Sequence, residues 1–181
     1  MGLFGFMSET RQEKQARRRH INMNQEELLA LDNEGLYDAI TDRVEYIIQY
    51  LDSAERLEKL KAGVRVFYIV QTYELEVNNG GLCQYFVNSS RLTAPYLMEN
   101  LREIGANKHA DLLADFLDKN GISLDDLSSF AIDDIDDFEE QEGRFPFDEF
   151  DDGFYALYDE EHLSDVLVEY VRAHIEEFAE E

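Results

Sequence analysis

Apolar residues from Leu36 onward recur at intervals of three and four: Leu36, Ile40, Val44, Ile47, Ile48 and Leu51. That spacing predicts an amphipathic helix. Glu26 to Leu31 reads as a short helix before it, and Leu57 and Leu60 as a short one after it. Residues 62–78 fit two templates. Val64, Val66, Tyr68 and Val70 alternate, as do Tyr73, Leu75 and Val77, and an Asn-Gly pair follows, which is a β-hairpin pattern. About seventeen residues without a breaker is long for a strand and ordinary for a buried helix, and no other segment supplies partner strands. The expectation is therefore a central helix ending at Asn79-Gly80, then a short helix through Gln84, Tyr85 and Phe86.

Further along, Thr93 is placed to cap a helix with Pro95 in its first turn, ending at Gly105. Leu112, Leu113, Phe116 and Leu117 predict the next helix, stopped by Asn120-Gly121. Ser123 followed by Asp126 reads as a capping-box-like start for a helix through Leu127 and Phe130. Residues 133–153, interrupted by Gly143 and Pro146, read as loop plus short helix. Leu163, Val166, Leu167, Tyr170, Val171, Ile175 and Phe178 predict one long amphipathic helix. The fold class is all-α, with residues 1–25 a basic flexible arm and 26–181 one helical domain.

Polar residues concentrate where the chain is most hydrophobic. Asn78, Asn79, Gln84, Asn88, Ser89 and Ser90 interrupt the apolar run around Asn78-Asn79-Gly80-Gly81. Buried amides cost free energy unless hydrogen-bonded, so they either stitch two elements together or meet a ligand. Gly80 or Gly81 is expected to hold a positive φ. The string Glu76-Val77-Asn78-Asn79-Gly80-Gly81, with Gln84-Tyr85-Phe86 and Asn88-Ser89-Ser90, resembles the signature of a bacterial DNA-mimic protein family. The resemblance runs on through Ile104-Gly105-Ala106 and covers roughly residues 36–181. Leu82 and Arg91 depart from it, where relatives often carry Phe and Gly. It implies a helical, non-enzymatic protein that imitates duplex DNA.

Charge sharpens that expectation. The chain of 181 residues carries 41 acidic and 16 basic residues, a net charge of −25. The imbalance is local: residues 1–110 sum to −3 and residues 111–181 to −22, with Lys119, Arg144 and Arg172 the only bases there. Such a surface repels nucleic acid and anionic membranes and attracts basic partners. Interleaved aromatics, among them Phe130, Phe138, Phe145, Phe147, Phe150, Phe154, Tyr155 and Tyr158, argue against disorder of the block. Between Asp125 and Asp152 there are 13 acids in 28 residues. Laid out as helix that is one charge per roughly 3 Å, against about 3.4 Å along one DNA strand.

Dedicated chemistry is scarce. The single cysteine, Cys83, fits a reducing cytoplasm and reads as a buried, inert thiol. His20, His109, His162 and His174 stand in no catalytic or zinc spacing, and no EF-hand, Walker or dinucleotide pattern occurs. The expectation is no enzyme, no catalytic residue, no cofactor and no metal. No apolar run approaches the ~20 residues of a membrane span. Met1 to Met7 is too short for a signal-peptide core, and Phe6 stands where a myristoylation signal requires Ser or Thr.

The leading reading is an acidic DNA mimic whose partner is a basic DNA-binding protein such as a transcriptional regulator, with homodimerisation open. The candidate contacts are Asp125, Asp126, Asp133, Asp134, Asp136, Asp137, Glu139, Glu140, Asp148, Glu149, Asp151 and Asp152. Glu76, Asn78, Asn79, Gly80, Gly81, Gln84, Tyr85, Phe86 and Asn88 form the structural motif. Two alternatives stand beside it: an immunity-type inhibitor of a basic toxin or nuclease, and a small-molecule or enzymatic site at the Asn-Asn-Gly-Gly turn.

Overall fold

The structure, a computed structural model, describes residues 10–49, 56–132 and 136–179. Leu51, Asp133 and Asp134 lie outside the described residues. Among the described residues the regular structure is helical: α1 (Arg11–Asn22), α2 (Gln25–Leu29), α3 (Asn33–Ile48), α4 (Arg56–Lys59), α5 (Ala62–Val87), α6 (Ala94–Glu103), α7 (Asn107–Asn120), α8 (Asp136–Glu142), α9 (Phe147–Ala156), α10 (Leu163–Ala173) and α11 (Ile175–Phe178). The protein is all-α.

The helix starts follow from local chemistry. Thr10 and Glu13 close a capping box on α1, and Asn24 and Glu27 do so on α2. Asp32 caps α3 by accepting the Gly35 amide at 2.9 Å. The ambiguity of residues 62–78 resolves to helix because both strand parities are buried. Val64, Val66 and Val70 are as inaccessible as Phe67, Ile69, Tyr73 and Val77. A half-buried strand would leave one parity exposed.

Four local expectations give way. Thr93 stands at the N-cap of α6 but makes no capping bond; its hydroxyl donates to the Ser90 carbonyl at 2.8 Å and accepts from the Tyr85 hydroxyl at 2.7 Å. Only Ser128–Phe130 form a short 3-10 turn, because Ser123 bonds the Asp125 amide and Asp126 the Ser128 amide rather than each other's ends. Residues 147–156 are helix, with Pro146 as the residue before its first turn. The long C-terminal helix divides at His174, whose φ of −128° and ψ of 30° separate α10 from α11.

The chain divides into two compact units: the described residues up to Tyr68 with those from Leu167 on, and Ile69–Val166. In the first, Leu28, Leu36, Ile40, Val44, Phe67 and Phe178 are buried. The buried Arg43 guanidinium donates to three main-chain oxygens there: Phe178 at 2.6 Å, His20 at 2.8 Å, and Met23. Glu177 accepts the Gly63 amide at 2.5 Å.

The second unit has an aromatic core. Tyr73 meets Tyr85 and Phe154 edge-on at 5.5 and 5.8 Å between centroids. Phe86 packs on Phe130 at 5.0 Å and on Phe147 at 6.0 Å. Phe116 of α7 meets Phe147 and Phe150 of α9 at 5.4 and 5.3 Å. Such pairs contribute about 0.5–1.5 kcal/mol each beyond their buried area. The Tyr73 hydroxyl is buried among them without a hydrogen-bond partner, and burial pushes its pKa well above the ordinary value. Replacing Tyr73 with Phe removes an unsatisfied polar atom at nearly constant shape, so it is expected to stabilise the protein by about 1 kcal/mol in urea denaturation. A loss of stability there shows that the hydroxyl has a partner after all.

Candidate functional site

The Asn-Asn-Gly-Gly stretch makes a break inside α5. Gly80 is extended, at φ −166°, and the positive φ of 75° falls on Gly81. Helix resumes at Leu82, whose amide donates to Asp151 Oδ1 of α9 at 2.9 Å. A second link from α9 is the Tyr155 hydroxyl, which donates to the Val77 carbonyl at 3.1 Å. The amides of the motif converge on a carboxylate rather than on backbone: Gln84 Nε2 and Asn88 Nδ2 donate to Glu76 Oε2 at 2.7 and 2.8 Å. Asn78 and Asn79 are exposed, while Tyr85 and Phe86 belong to the core.

Asp151 thus differs from the other acids of the acidic segment. It is half-buried, and burial raises its carboxyl pKa, reinforced by the negative charges of Asp148, Glu142 and Asp152 and opposed by the Leu82 hydrogen bond. The same burial, with Glu142 and Asp151 nearby, pushes the Cys83 thiol up to about 12, so it stays protonated at neutral pH. Among the described residues no three His, Cys, Asp or Glu side chains converge as a metal-binding group.

Asp125, Asp126, Asp148, Glu149 and Asp152 are exposed, as are Glu139 and Glu140 on α8. Asp136 opens α8 and Asp137 beside it is partly buried. The side chain and backbone hydrogen bonds of Ser128 hold the Asp126 carboxyl below its usual range. A second acidic row lies on α7, where Asp111, Asp115 and Asp118 are exposed at helical spacing. The interval of four and three is visible in the sequence and was the signal for it. Part of this row is neutralised: Asp111 pairs with Arg102, and Asp115 with Lys119 at 2.6 Å.

The start of α7 is clamped by Glu161. Its carboxylate accepts the Lys108 and His109 amides at 2.8 and 3.1 Å, and its carbonyl accepts from His109 Nε2 at 2.8 Å. Burial lowers the His109 pKa, which fits a neutral ring donating through Nε2, its Nδ1 buried without a partner.

Asp151 and His109 give opposite pH dependences. Folded Asp151 keeps its proton to higher pH than the ordinary 3.8 of the unfolded chain. Its contribution is neutral below both values and turns destabilising as pH rises through that window. His109 resists protonation in the folded state, so its contribution is lost as pH falls below the ordinary 6.5. Asp151→Asn keeps an acceptor for the Leu82 amide and removes the buried charge. It is expected to raise the denaturation midpoint at pH 7, with a gain that shrinks toward zero near pH 3. A gain that is independent of pH contradicts this account of Asp151.

No curated protein and no solved structure matches the chain. The sequence model of the DMP19-like protein family matches residues 58–174, which include the α5 break, the aromatic core and both acidic rows. That match, which covers more than half of the chain, places it in the DMP19-like protein family, the DNA mimic protein 19-like group.

Proposed function

We propose that the protein is a non-enzymatic, cytoplasmic DNA mimic. It binds the DNA-binding surface of a basic protein such as a transcriptional regulator and excludes DNA from it. The reading takes residues 26–181 as the functional helical domain and 1–25 as a basic appendage. The observation that carries it is the pairing of exposed carboxylates with a rigid floor. On α9, Asp148, Glu149 and Asp152 are exposed while Phe147, Phe150 and Phe154 of the same helix are buried in the aromatic core. A mimic needs charges fixed in position, whereas a solubilising surface does not. Membership of a DNA-mimic family supports the same reading. Among the described residues no helix is long and apolar enough to cross a membrane.

Competition for a labelled operator duplex tests it, using the DNA-binding protein that is retained from native lysate at low salt and eluted by a salt step. The protein is expected to release the duplex, and less effectively as salt rises. Neutralising Asp148, Glu149 and Asp152 as Asn, Gln and Asn is expected to raise the half-release concentration about tenfold or more. The same number of changes at Glu26, Glu34 and Asp38 is expected to shift it by less than about threefold. Equal losses from both sets mean that bulk charge alone acts, and the mimicry reading fails.

A further inference from the structure

The basic face of α1 is the largest charged feature that mimicry leaves unused. Arg11, Lys14 and Arg18 recur at three and four along the helix, sharing one face about 10 Å long. Gln15 lies beside them on the helix, and Arg19 follows one position on. All four cations are exposed, and none forms an ion pair with another described residue. The opposite face of α1 is already engaged. Arg17 pairs with Glu45 of α3 at 2.8 Å, His20 meets Asp42 at 2.6 Å, and Arg43 holds the His20 and Met23 carbonyls. The helix is therefore fixed with its cations outward, where an anionic surface of another molecule can reach them.

We propose that this stripe docks on the acidic face of a second copy of the chain. The complementarity lies within one sequence, since residues 111–181 carry −22 and the stripe supplies four adjacent positive charges. A continuous polyanion is a poorer occupant. The chain as a whole is net −25, which repels an extended nucleic acid. The consequence, which rests on the mimicry reading, is self-masking: the contact covers carboxylates that the DNA-binding partner takes, and partner and second copy compete.

The test mixes nitrogen-14 and nitrogen-15 labelled full chains at low salt and treats them with a carbodiimide, which joins an amine to a carboxylate in direct contact. Lys14 is the only lysine of the stripe, so the product is identified by its peptide. Mixed-isotope cross-links from Lys14 to acids between Asp111 and Glu161 are expected, and they disappear when salt is raised. Sedimentation is expected to show a dimer whose Kd rises about tenfold or more in the R11Q/K14Q/R18Q variant. Cross-links confined to one isotope, or a mass that the variant and salt leave unchanged, overturn the proposal. So does a wild-type chain that binds labelled duplex DNA through these residues. The mass and the operator competition fail separately: a monomer that still releases DNA overturns only this inference, and a salt-sensitive dimer that releases none overturns only mimicry.

Discussion

Gly81→Ala is expected to destabilise the protein by about 2–4 kcal/mol, several times the cost of Gly80→Ala. Two penalties combine at Gly81. Its φ of 75° lies in the left-handed region, where an added Cβ is strained in any surroundings. That Cβ also falls inside van der Waals contact of Asp151 Oδ2 and within 3.0 Å of its Cγ. Asp151 has little room to retreat, because its other oxygen holds the Leu82 amide at the restart of the helix. Displacing it leaves a main-chain donor without its acceptor in a half-buried place. Gly80 carries neither burden to the same degree. Its φ of −166° is extended backbone that any residue adopts, and the group its Cβ meets is the end of the Gln84 side chain. Moving Gln84 costs its hydrogen bond to Glu76, a net loss of about 1 kcal/mol. Urea denaturation of both variants decides the matter. Equal losses mean that the break is held by Glu76, Gln84 and Asn88 rather than by the Gly81 backbone.

Those two glycines show where a sequence is readable and where it stops. The break itself was legible, because two Asn and two Gly in a run of apolar residues have few other uses. Which glycine takes the positive φ was not, since that depends on an aspartate seventy residues away. Long helices with one apolar stripe, such as α3 and α7, follow directly from periodicity, whereas α5, buried on almost every side, follows only from its length and the lack of partner strands. The break at His174 did not: the apolar spacing runs through it unchanged, and a single non-helical residue leaves no mark on a three-and-four pattern. Thr93 offered a normal cap, but a buried tyrosine hydroxyl claimed it, a tertiary demand invisible in the neighbouring residues. From sequence Pro146 reads as an interruption of the acidic segment, although proline also suits a helix start. Composition alone makes the acids one class. Asp151 could have been set apart, since it lies four residues after Phe147 and three before Phe154, on their side of the helix.

Phe154→Ala separates rigidity from charge, and it is expected to cost about 3–5 kcal/mol. Phe154 is 1% exposed. Its ring meets Tyr73 of α5 at 5.8 Å, His109 of α7 at 5.0 Å, and Phe150 and Tyr155 of α9 at 6.5 and 5.7 Å. Truncation leaves a cavity where three helices meet, and α9 loses one of its anchors to α5, beside Phe147 on Phe86 and the Asp151 and Tyr155 hydrogen bonds. Phe138 is the informative contrast. It stands among the acids of α8 and, by sequence alone, is as good a pin as any, yet it is only partly buried. Phe138→Ala is therefore expected to cost less than about 1.5 kcal/mol, a fraction of the price at Phe154. Neither change alters the charge. Under the mimicry reading, Phe154→Ala at a temperature where it remains folded is expected to release an operator duplex less well than wild type, with Phe138→Ala close to wild type. Circular dichroism confirms folding at that temperature, and the competition assay reads binding. A folded Phe154→Ala protein that competes as well as wild type shows that the carboxylates need no rigid support, and a flexible polyanion then accounts for the activity.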